Sequence, residues 1–227
     1  MIKISGLTKV YNEGMQSECK ALNGVDIEIG DGESIAITGK SGSGKSTFMH
    51  ILCGIETATA GSVTVDDLEI TKLSDIELAR FRSQNLGIVM QDFCLIDAIS
   101  VMENVMLPLD FVKMPHAERK KRVINLVGGV GLIKYLKKKT ALLSGGEKQR
   151  VAIARALVAD PPYIFADEPT GSLDVNTSRE IIDKLLDINN KRGKTVIIIT
   201  HDSSIASEFK RQIKFSDGKI IEDITQH

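Results

Sequence analysis

Gly39-Lys-Ser-Gly-Ser-Gly-Lys-Ser46 has the residue types and spacing of a loop that wraps phosphate. Gly39, Gly42 and Gly44 let backbone amides approach anionic oxygens, and a helix starting at the end of the loop offers its positive end. In such a loop Lys45 reaches the β- and γ-phosphates of a nucleotide, and the Ser46 hydroxyl coordinates magnesium. Lys40, Ser41, Ser43 and Thr47 complete this candidate site.

Asp167-Glu168 follow a short apolar run, Tyr163-Ile-Phe-Ala166. Two carboxylates at the carboxyl end of a strand stand where open α/β sheets bind ligands. Side chains alternate along a strand, so the pair can divide its work. Asp167 suits a magnesium shell and Glu168 suits polarising an attacking water; an isolated Asp-Glu is otherwise a solvated turn. His201 follows a second apolar run. Alone it reads as a surface residue, but beyond the same sheet edge as Asp167 it comes within reach of a γ-phosphate. Ser144-Gly-Gly-Glu147 opens a helix: Ser144 is an N-cap candidate, and Gly145 and Gly146 bare the first amides of a positive dipole end. Ser-Gly-Gly by itself is a well-capped helix. Beside the phosphate loop it is a second anion site, which a dimer would place over the partner's nucleotide.

The elements that must position these groups follow from periodicity. Residues 2–4 and 25–29 and the run Ser34–Thr38 are β-prone, with helix-compatible sequence from Ser46 to Cys53. Ser62–Asp66 and Gly87–Met90 read as further strands. From Asp92 to about Ala159 strand signals vanish, and Glu118–Val127 and Gly145–Val158 are helical. Tyr163–Ala166 and Thr195–Thr200 are continuous apolar strands, covered on both faces, with a helix over Thr177–Asn190 between them. Gln212–Ile221 is a hairpin with Asp-Gly at its turn. Strands alternating with helices predict a largely parallel α/β core interrupted by a helical insertion.

The 227 residues are 42% apolar and 26% charged, ordinary for a globular protein. The net charge of −1 makes no electrostatic case for nucleic acid. No apolar run approaches the roughly 20 residues that span a bilayer, and no hydrophobic signal core is expected at the start. Cys19, Cys53 and Cys94 are widely spaced with no Cys-x-x-Cys pair, which fits a reducing cytosol better than disulfides or zinc. A membrane role must therefore come through a partner chain. The basic clusters Glu118–Arg122 and Lys137–Lys139 read as solvated helix faces or as contacts for anionic lipid.

Taken with the phosphate loop, Leu143-Ser-Gly-Gly-Glu-Lys-Gln149 resembles the signature of the ABC (ATP-binding cassette) ATPases, and other motifs follow in that family's order. The resemblance implies an α/β fold: a P-loop NTPase (RecA-like) core with an antiparallel β subdomain and an inserted α-helical subdomain. It makes residues 1–227 one nucleotide-binding domain, with its core over 1–91 and 160–227 and the helical part over about 92–159. Tyr11 matches the aromatic that stacks on adenine, Gln91 the switch-loop glutamine beside magnesium and water, and His201 the switch histidine. Ser172-Leu-Asp174 looks like the loop that communicates across the dimer. ATP and Mg2+ are the implied cofactors. The implied partners are a second copy and integral membrane permease subunits, which place the chain peripherally on the cytoplasmic face of the membrane.

Glu103-Asn-Val-Met-Leu-Pro-Leu109, Asp167-Glu-Pro-Thr-Gly-Ser-Leu-Asp174 and the expected lack of an extra C-terminal domain are similar to the lipoprotein-release and macrolide-export (LolD/MacB-like) branch, with FtsE-like proteins close by. Glu147-Lys148 stands where Gln-Gln is frequent, and Phe165-Ala166 where a more aliphatic pair is usual. Two functions follow from the resemblance: powering an export permease, or signalling through a membrane partner without moving substrate. A small-molecule kinase would share the phosphate loop but not the downstream motifs.

Overall fold

The computed structural model describes residues 1–171 and 173–226. The chain begins with β1 (Ile2–Tyr11) and β2 (Cys19–Ile29), an antiparallel pair, followed by β3 (Ser34–Gly39) and α1 (Lys45–Leu52). β4 (Ala60–Val65) and β5 (Leu68–Glu69) lead to α2 (Asp75–Asn85) and β6 (Leu86–Val89). The helical stretch holds α3 (Val101–Met106), α4 (His116–Gly129) and α5 (Gly145–Leu157). The chain then returns through β7 (Tyr163–Asp167), α6 (Val175–Arg192), β8 (Thr195–Ile199), the short α7 (Ser203–Ala206), β9 (Arg211–Ser216) and β10 (Lys219–Thr225).

Two sheets form. One is antiparallel in the order β2-β1-β4-β5; the other runs β10-β9-β3-β8-β7-β6. In the larger sheet β9, β3, β8, β7 and β6 are parallel, and only β10 returns antiparallel. β3, β7 and β8 are buried except for the last residues of β3, which explains their continuous apolar sequence.

Register decides what the sheet can do. Ile37 pairs with Ile199, Ile199 with Asp167, and Ala166 with Val89, so four carboxyl ends finish level. The segments starting at Lys40, Glu168, Thr200 and Met90 therefore leave the sheet along one edge. This is the edge at which open α/β sheets gather ligands.

Apolar side chains pack on both faces of that sheet. Phe48 of α1 meets Phe215 of β9 with ring centroids 5.1 Å apart. Ile181, Ile182 and Leu185 of α6 cover Ile164, Val196 and Ile198 on the other side. A third cluster lies within the helical stretch, where Val101 and Val105 meet Val123, Val127, Val151 and Val158. Each fully buried aliphatic side chain contributes on the order of 1.5–3 kcal/mol, so the helical stretch holds a core of its own.

Several boundaries differ from the sequence expectation. β1 and β2 extend well beyond residues 2–4 and 25–29. Gly6 and Gly24, just outside those expected segments, sit inside the strands at φ 58 and 68, beside register shifts that absorb them as bulges. α2 and α3 were not anticipated. α2 buries only Phe81, so it has no periodic apolar stripe, and α3 is six residues long. Both carry a capping box, Ser74 with Glu77 and Ser100 with Glu103, a signal present in the sequence.

Candidate active site

The loop after β3 is pinned at both ends by glycines with no room for a side chain. Gly39 has φ 142, and a Cβ there would lie 2.3 Å from the Phe215 carbonyl oxygen. Gly44 has φ 101, and its Cβ would lie 2.3 Å from the Ala21 carbonyl oxygen. Gly42 faces open space instead. The chain thus folds tightly onto β2 and β9 at both ends and presents backbone outward in the middle. α1 starts directly behind, at Lys45.

Lys45 is buried, and its Nζ donates to the Gly39 and Lys40 carbonyl oxygens at 2.9 and 2.8 Å. Burial lowers its pKa, opposed by the carboxylates of Glu168 and Asp167. The Ser43 hydroxyl is buried without a hydrogen-bond partner. A buried polar atom left unpaired is costly, and a phosphate oxygen is the partner this loop is shaped to admit. The residues present therefore fit a phosphate group.

Asp167 ends β7 and is buried, while Glu168 leaves the strand at φ 48 with its amide donating to the Ile199 carbonyl at 3.1 Å. His201 Nε2 lies 2.8 Å from Glu168 Oε1. Behind it, Asp202 accepts from the Ser204 hydroxyl at 2.6 Å and caps α7 by accepting from the Ser204 amide at 2.8 Å, and these bonds hold its carboxyl below the usual range. Tyr11 ends β1. Its hydroxyl donates to Glu56 Oε2 at 3.4 Å, and the Lys9 ammonium sits 4.9 Å from its ring centroid while bonding Glu56 Oε1 at 2.8 Å. Gln91 lies exposed on the turn after β6.

These groups meet in one cleft of about 390 Å³. Its lining includes Tyr11, Ser41, Gly42, Gly44–Thr47, Gln91, Glu168 and His201. Gly39, Lys40, Ser43 and Asp167 support the cleft without lining it. Cys19 and Ala21 do line it, although no motif marks them; Cys19 is placed by pairing with Tyr11 across the β1–β2 hairpin.

Ser144, Gly145, Gly146 and Glu147 do not line this cleft. Ser144 is the exposed N-cap of α5. Its hydroxyl accepts from the Glu147 amide at 3.3 Å, and Glu147 Oε2 accepts from the Ser144 amide at 2.9 Å. That backbone bond is the main reason the Glu147 carboxyl titrates low. Of the candidate Ser172–Asp174 loop, Ser172 lies outside the described residues; Asp174 caps α6, accepting from the Thr177 amide at 3.0 Å. No group of three or more His, Cys, Asp or Glu side chains able to hold a metal occurs among the described residues.

A profile of the ABC transporter family matches residues 22–171. The chain is 40% identical to the lipoprotein-releasing system ATP-binding protein LolD of Geobacter metallireducens, over 98% of this chain and 99% of that one. It is 41% identical to the macrolide export ATP-binding/permease protein MacB of Marinobacter nauticus, over 98% of this chain but 34% of that longer protein. Among solved structures, a dimeric bacterial ABC transporter cassette superposes with a TM-score of 0.95 at 39% identity, covering 100% of this chain and 99% of that one. A dimeric cassette bound to ADP and Pi in a post-hydrolysis state also gives 0.95, at 38% identity with the same coverage. The chain belongs to the ABC transporter family and carries its ATPase cassette.

Proposed function

We propose that this member of the ABC transporter family hydrolyses ATP at a site shared between two copies of itself, and so drives a separate membrane permease of the lipoprotein-release or macrolide-export type. The observation that carries the reading is a division of labour. The cleft collects Tyr11, Lys45, Gln91, Glu168 and His201, while the exposed Ser144 helix end, the second anion site, lies outside it. A second copy is the economical source of that missing half.

In this reading Tyr11 stacks on adenine, and the amides of Gly39–Thr47 and the Lys45 ammonium bind the phosphates. Ser46, Asp167 and Gln91 would hold magnesium, which neutralises phosphate charge when bound. Glu168 accepts a proton from the water that attacks the γ-phosphorus; the bond from that phosphorus to the bridging oxygen breaks, leaving ADP and phosphate. His201 steadies the γ-phosphate, and the partner's Ser144, Gly145, Gly146 and Glu147 close over it. Such catalysis is mostly positioning and charge neutralisation, so separate segments must converge.

No described helix is long and apolar enough to cross a membrane. A groove of about 790 Å³ supports a membrane partner: it runs between α2 and the segment after α3, with Ile76 76% and Phe111 71% exposed. Exposed apolar side chains gathered in one concavity mark interaction sites. The proposed location is the cytoplasmic face of the membrane, held there by the permease.

Mixing a Lys45→Ala chain with a Ser144→Arg chain tests the shared site, because their heterodimer keeps one intact half-pair. Cross-linked heterodimers are expected to hydrolyse ATP faster than either parent. Heterodimers no faster than the parents would remove the main support for sharing.

A further inference from the structure

The turn that carries Gln91 into the cleft is held from behind by one side chain. Phe93 and Cys94 are consecutive non-glycine residues in the left-handed region, at φ 60 and 47. This backbone is unfavourable for L-residues and persists only where the surroundings impose it. Local bonds shape the turn: Phe93 N donates to the Met90 carbonyl at 3.0 Å, and Cys94 N to the Asp92 carbonyl at 2.6 Å. They leave the carbonyls of Phe93 and Cys94 free, and Arg155 takes both. Its Nη2 donates to Phe93 O at 2.8 Å and its Nη1 donates to Cys94 O.

Arg155 occupies an unusual place for an arginine. It lies in the last turn of α5, the helix that starts beside Ser144. It also lines the apolar groove with Leu86, Ile88, Leu107 and Pro108. Among the described residues no carboxylate forms a salt bridge with it; both of its hydrogen bonds go to the turn. A rigid planar fork with two donors suits two adjacent carbonyls in a way that a point charge does not.

We propose that Arg155 is a positioning residue for hydrolysis: its fork sets the 90–94 turn, and through it Gln91, and fastens that turn to the helix that starts at Ser144. Arg155 itself lines the groove, so a partner seated there would bear on Gln91 through Arg155. The catalytic consequence rests on the role proposed above for Gln91.

Arg155→Lys keeps the stem and the charge but loses the fork, and Arg155→Gln removes the charge and keeps a single donor nitrogen. In the purified full chain, melting midpoint, half-saturating ATP, kcat and the rate of maleimide labelling at Cys94, located by peptide mass, are measured together. Both variants should melt cooperatively and bind ATP within about twofold of the parent, with kcat lowered about tenfold. Cys94 should label faster, because its turn is released. In a Gln91→Ala background, Arg155→Lys should cost no further activity. Unchanged Cys94 labelling in folded variants overturns the proposal, as does an equal loss of kcat with and without Gln91. If Gln91→Ala alone leaves kcat intact, the role given to Gln91 fails, and the labelling rate alone then decides whether Arg155 holds the turn.

Discussion

His201 Nε2 lies 2.8 Å from Glu168 Oε1, joining the residue after β7 to the segment after β8. Sheet register produces this contact, because Asp167 pairs with Ile199 and the two strands end level. The turn is held in place: Glu168 sits at φ 48 with its amide on the Ile199 carbonyl. A left-handed glutamate costs about 1–2 kcal/mol. Strain of that kind concentrates where chemistry needs a fixed group.

Replacing Glu168 by Gln keeps the shape and removes the base. Turnover should fall by about 10²–10⁴, while ATP binding remains and an ATP-dependent dimer accumulates on gel filtration. Hydrolysis within a few-fold of the parent would show that Glu168 is not the base.

His201→Ala should lower kcat by at least about tenfold, with half-saturating ATP changed far less. The contact is partly exposed, with 47% of the His201 side chain accessible, so its loss should shift the melting midpoint little. A large drop in melting midpoint with normal kcat per folded molecule would make the pair structural.

The glycines of the phosphate loop should respond unequally. Gly44→Ala brings a Cβ to 2.3 Å from the Ala21 carbonyl, whereas Gly42→Ala meets nothing within 4 Å. Both pay about 1–2 kcal/mol for a left-handed alanine, and only Gly44→Ala adds a backbone clash. Denaturant unfolding should therefore show Gly44→Ala as the less stable of the two; equal midpoints would mean that the loop moves freely away from β2.

Ser74→Ala removes the hydroxyl half of the capping box of α2, including its bond to Glu77 Oε2 at 2.7 Å, and leaves the backbone half, in which Glu77 Oε2 accepts from the amide of residue 74 at 2.8 Å. The expected cost is about 1 kcal/mol, or a fall of about 2–4 °C in melting midpoint for a chain of this size, with ATP hydrolysis by the isolated chain unchanged. An unaltered midpoint would show that α2 is held by its packing on β6 alone.

The phosphate loop was legible because its chemistry lies in one contiguous segment, from Gly39 to Ser46. The strands β3, β7 and β8 were legible because continuous apolar runs can only be buried on both faces. The lengths of β1 and β2 were not, since Gly6 and Gly24 have the same letters in a turn and in a bulge. α2 and α3 hid behind weak periodicity although their capping boxes were on the page. Arg155 was invisible as a partner of the Gln91 turn: backbone carbonyls 61 and 62 residues away in the chain leave no mark on sequence.

Residue order alone specifies which groups are available: a cradle of amides, a lysine, two adjacent carboxylates, a histidine and a capped helix start. Each is encoded by local spacing, where steric and hydrogen-bonding rules act over a few residues. Their company is set by long-range packing. Parallel register levels four strand ends and gathers Lys45, Gln91, Glu168 and His201, Tyr11 joins the same cleft from the antiparallel sheet, and the helical stretch packs on its own core and leaves Ser144 outside. That division depends on contacts between residues far apart in the chain, which no local pattern can specify.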